Sequence, residues 1–185
     1  MASSQPQRHA HSPLAAFLSY LVPGLGQIYQ GRIAKGVLFF GCLYGMFFYG
    51  QALGSWKNVY LPDSSQVVPP SARLSFGRTI NDVYNRIYFA GQFWIGVAAW
   101  PAIWQYMNYD ETQAADPLLG TYQRAPSEDE INRLQRDSDK TWDLGWIYTV
   151  IAGVLNVLVI YDAFAGPALS DTQEKVRPRQ EVAAA

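Results

Sequence analysis

Charge is absent from this chain in blocks. No Asp, Glu, Lys or Arg falls within 36–54, 87–109 or 144–161. At about 1.5 Å per residue each block is long enough to cross a hydrocarbon layer of about 30 Å, so three spans are expected. A fourth apolar run, 13–29, is interrupted by Pro23, which removes a backbone donor and crowds the carbonyl four residues earlier. Its uninterrupted part covers about half the layer, and the pattern predicts a short, bent first helix packed against the second. The link Pro23-Gly24-Leu25-Gly26-Gln27-Ile28-Tyr29-Gln30-Gly31-Arg32 is too short to leave a bilayer surface, so 13–54 reads as a helical hairpin in which Arg32 and Lys35 are the only charges.

The small residues of each run fall on definite faces. In 36–54, Gly41 and Gly45 lie on one side and Gly36, Gly50 and Gly54 on roughly the opposite one, which predicts a central helix with neighbours on both sides. In 87–107, Gly91, Gln92, Gly96, Ala98, Ala99 and Ala102 share an arc that should face protein. Phe93, Trp94, Val97, Trp100 and Trp104 take the lipid side, and Pro101 kinks the end. In 144–163, Gly145, Thr149, Ala152, Gly153, Asn156 and Ala163 form a helix–helix seam with one amide in its middle. Asn156 serves there as an interhelical hydrogen-bonding group or, on the competing reading, lines a solute path together with Gln92. Asp162 points off the seam and is expected to reach toward the interface.

The polar remainder is less informative. Residues 1–12 form a leader and 167–185 a tail, both expected to be disordered, and 13–166 is the transmembrane domain. Residues 55–86 carry Pro62, Pro69 and Pro70 among serines and read as an extended loop, with Trp56, Tyr60, Tyr84 and Tyr88 as an interfacial belt. Within 108–143, Ser127 and Glu130 match a capping box, Asp129 and Arg133 form an i,i+4 pair, and Ile131, Leu134, Ser138 and Trp142 recur near helical spacing. A surface helix over 127–142, running into the last span, follows.

Composition narrows the function. At a net charge of −1 there is no basic field for nucleic acid, and Lys and Arg divide too evenly between the loops to orient the chain. A single cysteine, Cys42, excludes an intramolecular disulfide. His9 and His11 lie only in the leader, with no second cluster of ligands to make a metal site. Gly26-x-x-x-x-Gly31-Arg32-Ile33 departs from a phosphate-cradling loop: the lysine and the magnesium-binding hydroxyl are missing and no strand precedes it. Its glycines serve the turn, while Tyr29, Arg32 and Lys35 sit at headgroup level, where the two cations could meet a lipid phosphate. No base stands near an activated nucleophile, so no catalytic residue, cofactor or metal is expected and the chain does not read as an enzyme.

The segment PLAAFLSYLVPGLGQIYQGRIAKGVLFF, residues 13–40, resembles the two-transmembrane hairpin domain, in which a short helix, a glycine-rich link with aromatic and basic residues and a longer helix recur. Gln27-Ile28-Tyr29 stands where that domain has a His-Arg-Phe-Tyr-like run. Together with TWDLGWIYTVIAGVLNVLVIYDAFAGP, residues 141–167, it makes the chain similar to domain-of-unknown-function family 6677, a bacterial membrane family, over about 13–54 and 128–167. That resemblance implies a bacterial cytoplasmic membrane and no particular activity or substrate. The expectation is an all-α, multi-pass helical bundle. It would act as a non-enzymatic scaffold or accessory subunit through lipid, self-association or another membrane protein, with a small transporter or channel component as the alternative.

Overall fold

Two of the apolar runs fold without interruption. The computed structural model describes residues 11–61, 87–109, 114–137 and 140–166. In it α3 spans Ile33–Leu53 and α7 spans Thr141–Ala165. These are the two helices long and apolar enough to cross a membrane among the described residues. They pack side by side and antiparallel. At one end the α3 N-cap residue Arg32 meets Asp162; at the other, a Cβ on Gly50 would lie 2.9 Å from Gly145 O and one on Gly145 only 2.6 Å from Gly50 O. Side chains at these glycines would push the two backbones apart.

The first run breaks where proline and glycine stand together. Helix α1, Pro13–Leu21, starts on Ser12, whose hydroxyl accepts from Ala15 N at 3.3 Å, with Pro13 pre-set for the first turn. Its beginning is tied to the far end of α7: Ser12 N donates to Phe164 O at 3.2 Å and the His11 ring stacks on Phe164. The chain reverses at Val22-Pro23-Gly24, where Gly24 has φ +85, and returns as α2, Leu25–Tyr29. The expected packing of the first helix against the second run is therefore divided. Helix α1 lies mainly on α7 and α2, and α2 is the part that lies on α3.

The third run is not one helix. It comprises α4, Ile87–Gln92, a 3₁₀ segment, Phe93–Ala99, and α5, Trp100–Asn108. Gly96 breaks it with φ 82 and ψ −136, a backbone conformation essentially closed to other residues. Pro101 sits at the start of α5 and initiates a helix instead of kinking one. Trp94, Val97, Trp100 and Trp104 are exposed and Gln92, Gly96, Ala99 and Ala102 buried, as their faces predict, but Phe93, expected on the lipid side, packs against the core. Going in, α4 runs alongside α7, with Tyr88 near Trp146, Gly91 against Val150 and Gln92 on Thr149. Coming out, α5 is bound by Gln105 and Ala102 to the loop at 120–123, and Tyr122 there faces Trp56 just beyond α3. The run enters and leaves at the same end of the bundle.

Segment 54–61 also departs from a surface loop. Asn58, Val59, Tyr60 and Leu61 are buried, and Tyr60 packs on Trp146 in a cluster with Trp142, Ile131 and Leu134. Of the expected belt, Trp56 and Tyr88 are exposed and Tyr60 is not; Tyr84 lies outside the described residues. Helix α6, Glu128–Asp137, is the expected surface helix. Ser127 accepts from Glu130 N at 3.4 Å, but the Glu130 side chain forms an ion pair with Lys57. It ends before the last span, because Lys140 takes a left-handed turn at φ 58 and α7 begins at Thr141. Ser138, residues 1–10 of the expected leader, residues 62–86 of the loop and the tail at 167–185 lie outside the described residues. Apart from one isolated bridge, Asp116 to Gly120, all regular structure among the described residues is helical.

Candidate functional site

Three polar residues of α7 are bonded to other elements: Thr149 and Asn156 on its buried face, and the half-buried Asp162 off that face. Steps of seven and six residues put them about 10 Å and 9 Å apart along the axis. Each is met by a polar group from a broken run. Gln92 Nε2 donates to Thr149 Oγ1 at 2.8 Å and to Asn58 O at 3.1 Å, and Asn58 Nδ2 in turn donates to Gly50 O. The Thr149 hydroxyl faces its own helix, 2.9 Å from Trp146 O.

Asn156 stands where the two broken runs meet. Its Nδ2 donates to Ser19 O at 3.1 Å, in the last turn of α1, and to Trp94 O at 2.8 Å, in the 3₁₀ segment. Next to it Gly96 presses on the end of α1, so that a Cβ would collide with Tyr20 O and lie 2.5 Å from Leu21 O. Helix α1 enters from the Phe164 end of α7 and α4 from the Trp146 end. Both therefore bring carbonyl ends to the same place. The partial negative charges of two helix C-termini converge on one amide. Asn156 is fully buried, and its Oδ1 has no hydrogen-bond partner.

A charged knot closes the Phe164 end. Gln27 is fully buried and donates to Val159 O at 2.9 Å and to Asp162 Oδ2 at 3.1 Å, while accepting from Ser19 Oγ at 3.0 Å. Asp162 pairs with Arg32 at 2.8 Å and with Lys35 at 2.6 Å, and Gln30 Nε2 caps Ala163 O at 2.6 Å. Two cations thus offset a carboxylate that sits unfavourably near the negative end of α7.

At the opposite end, glutamines again serve a break. Gln123 Oε1 accepts from Ala102 N at 3.0 Å and its Nε2 donates to Ala98 O at 2.8 Å, bridging the 3₁₀ segment to α5. Asp116 organises the turn below: its Oδ1 accepts from Leu119 N at 2.6 Å and Leu118 N at 2.7 Å, and Oδ2 from Trp104 Nε1. The Leu119 amide, followed by the Tyr109 hydroxyl, holds the Asp116 carboxyl down at about 2. The same hydrogen bond raises Tyr109, and burial raises Tyr122.

The residues singled out by sequence are scattered over this arrangement. Pro23, Gly24 and Gly26 form the buried reversal, with Gly24 against Gly36 and Gly26 against Ala15 and Ser19. Gly31 turns the chain at φ +79 with open space around it, and Tyr29 is exposed. Arg32 and Lys35 are both engaged by Asp162, with much of the Lys35 side chain still exposed, and Asp162 pairs with them instead of reaching alone toward an interface. A Cβ at Gly41 or Gly45 would meet nothing within 4 Å among the described residues; there α3 packs through Gly36, Gly50 and Gly54. Gly145, Thr149, Gly153 and Asn156 do lie in the α7 seam, Gly153 against Gly91 O. The sequence reading passed over Gln27, Ser19, Asn58, Gln105 and Gln123. The available signal was an amide beside every chain break, where freed carbonyls and amides need partners. Among the described residues no cluster of three or more His, Cys, Asp or Glu occurs.

No curated protein and no solved structure matches the chain. One family model does, over residues 14–176, which takes in the middle segment as well as both ends. Over that length, the chain belongs to the family of unknown function DUF6677.

Proposed function

We propose that this is an integral protein of a bacterial cytoplasmic membrane in which α3 and α7 cross the bilayer. The α1–α2 and α4–α5 hairpins enter from opposite faces and return. Its activity on this reading is non-enzymatic: it is a small transporter or channel component whose path passes Gln92 and Asn156. The supporting observation is the meeting of two oppositely entering broken helices at one buried amide. Irregular backbone at membrane depth is tolerated where it is enclosed by protein or lines a path, and discontinuous helices commonly mark transport sites. The side-chain distribution supports membrane insertion. Leu38, Tyr49, Leu158 and Tyr161 are exposed on α3 and α7, while Gln27, Gln51, Gln92, Thr149 and Asn156 are buried beside the apolar core, and fully buried amides are uncommon in water. Reconstitution tests the function: Asn156→Leu should abolish solute flux into liposomes while leaving the protein folded, and an unchanged flux, or none in the parent protein, rejects it.

A second reading, a scaffold that self-associates or holds another membrane protein, is supported by the open α3 face. Gly41 and Gly45 are spaced as in close-packing helix pairs, and a Cβ at either would meet nothing within 4 Å among the described residues. Gly41→Leu with Gly45→Leu should then convert a detergent-stable oligomer to monomer; a parent protein that is already monomeric and partnerless counts against the scaffold.

A further inference from the structure

We infer that two adjoining cavities beside α6 form one binding site for a zwitterionic lipid headgroup, a phosphate diester that carries a primary ammonium, as in phosphatidylethanolamine. The inference rests on the membrane reading above and on neither of the activities weighed there. The cavities measure about 330 and 650 Å³, within the range of about 300–1,000 Å³ typical of small-molecule sites. Lys57, Thr121, Arg124, Ser127 and Glu130 line the smaller one. Ser127 and Glu130 also line the larger, with Ser55, Asp129, Arg133 and Asp137. The half-buried Glu130, paired with the half-buried Lys57, therefore stands between the two.

Charge is divided unevenly across this boundary. In the smaller cavity two cations face one carboxylate, and in the larger one cation faces three, with Glu130 common to both. Taken together, three cations balance three carboxylates. A simple anion or a simple cation matches only half of such a site; a neutral dipolar group matches all of it. Its phosphate would lie toward Lys57 and Arg124, both suited to phosphate oxygens, and its ammonium toward Asp129 and Asp137. The Lys57 ammonium gives one of its donors to Glu130 and keeps the others. Ser127 Oγ accepts from Glu130 N and retains its own O–H to donate. The lining selects a primary ammonium, which donates hydrogen bonds to carboxylates. A quaternary ammonium is held by aromatic faces, and among the described residues no aromatic side chain lines either cavity. Position points to a lipid as the source. Helix α3 ends at Leu53 and α7 begins at Thr141, so the cavities stand where both proposed spans leave the bilayer. Trp56, between Ser55 and Lys57, is exposed there, as suits a side chain anchored among headgroups.

The test is the thermal unfolding of the full chain in detergent with short-chain phosphatidylethanolamine, phosphatidylcholine or phosphatidylglycerol at equal concentration. The ethanolamine lipid should raise the midpoint saturably and above the other two. Equal shifts from all three mark an effect of acyl chains alone and overturn the site; a larger shift from either of the others overturns the primary-ammonium zwitterion. Glycerophosphoethanolamine, which lacks the chains, should protect less, and protection equal to the lipid's overturns the lipid as source. Arg124→Gln and Asp137→Asn should each lower the apparent affinity for the ethanolamine lipid about tenfold, the factor supplied by about 1.4 kcal/mol. Unchanged affinity in a folded variant overturns the assignment. Asp137 is exposed, so its variant keeps the fold and decides if Arg124→Gln does not. Alkaline carbonate separates the two claims: a chain extracted from membranes refutes the membrane reading, and one that stays but does not distinguish headgroups refutes the site alone.

Discussion

Asp162 shows what a single side chain near the end of an apolar helix can organise. It gathers Arg32, Lys35 and Gln27 from α2, α3 and the turn between them. Asp162→Asn should lower stability in detergent by about 2 kcal/mol, because charge-assisted bonds are lost and two cations are left unpaired. Arg32→Gln should cost about half as much, since Lys35 stays in place; chemical denaturation of the two variants would check the order. Asp116 makes a pH prediction. Its folded carboxyl titrates at about 2 against an ordinary 3.8, so it contributes stability above pH 3.8 that is lost as pH falls toward 2. Asp116→Asn should flatten the fall in unfolding midpoint across that window, and an unchanged acid limb would remove Asp116 from the account. The Asp162 knot was hidden in the sequence because its partners lie far apart along the chain. Each charge, viewed alone, looks like an interfacial residue. Asn156 was legible as an interhelical donor, but its two acceptors were not, since both are backbone carbonyls freed by breaks elsewhere.

At the scale of elements, two glycines with similar positive φ make opposite demands. Gly31 has open space around it, so Gly31→Ala should cost about 1 kcal/mol of backbone strain alone. Gly96→Ala adds a collision with Tyr20 O and Leu21 O and should cost about 3 kcal/mol or more. Thermal midpoints of the two variants should separate accordingly, and equal losses would contradict the close approach of the α1 end to the Gly96 break. Helices α3 and α7 were readable from uninterrupted apolar length, and α6 from its Ser127 start. The third run was misread as a single span because periodicity registers which face is apolar, and that face survives the break. Only the backbone at Gly96 reverses the chain, and a glycine within an apolar run looks the same whether it packs a helix or ends one.

At the scale of the whole molecule, the proposed two-span reading assigns the loops to faces. With three crossings the loops after α3 and before α7 would lie on opposite faces, but Lys57 pairs with Glu130 and Trp56 faces Tyr122, so both lie at one end. Single cysteines at Ser55 and Ser127 in a Cys42→Ala background should react with impermeant maleimide from the same side, and one at Gly31 from the other. Labelling of Ser55 and Ser127 from opposite sides would reject the two-span topology. The knot also bears on the order of assembly. The long-range bonds of Gln27 on α2 and Ser19 on α1 reach 132 to 137 residues along the chain, and all of them end on α7, the last helix described. As synthesis proceeds from the N-terminus, the first hairpin leaves the ribosome long before its acceptors exist. Until α7 arrives, Gln27, Ser19 and the carbonyls of the last α1 turn must be sheltered by water, lipid headgroups or an insertion factor. The hairpin that leads the sequence is thus the last part to settle, and a chain cut before Thr141 should leave it exposed to protease.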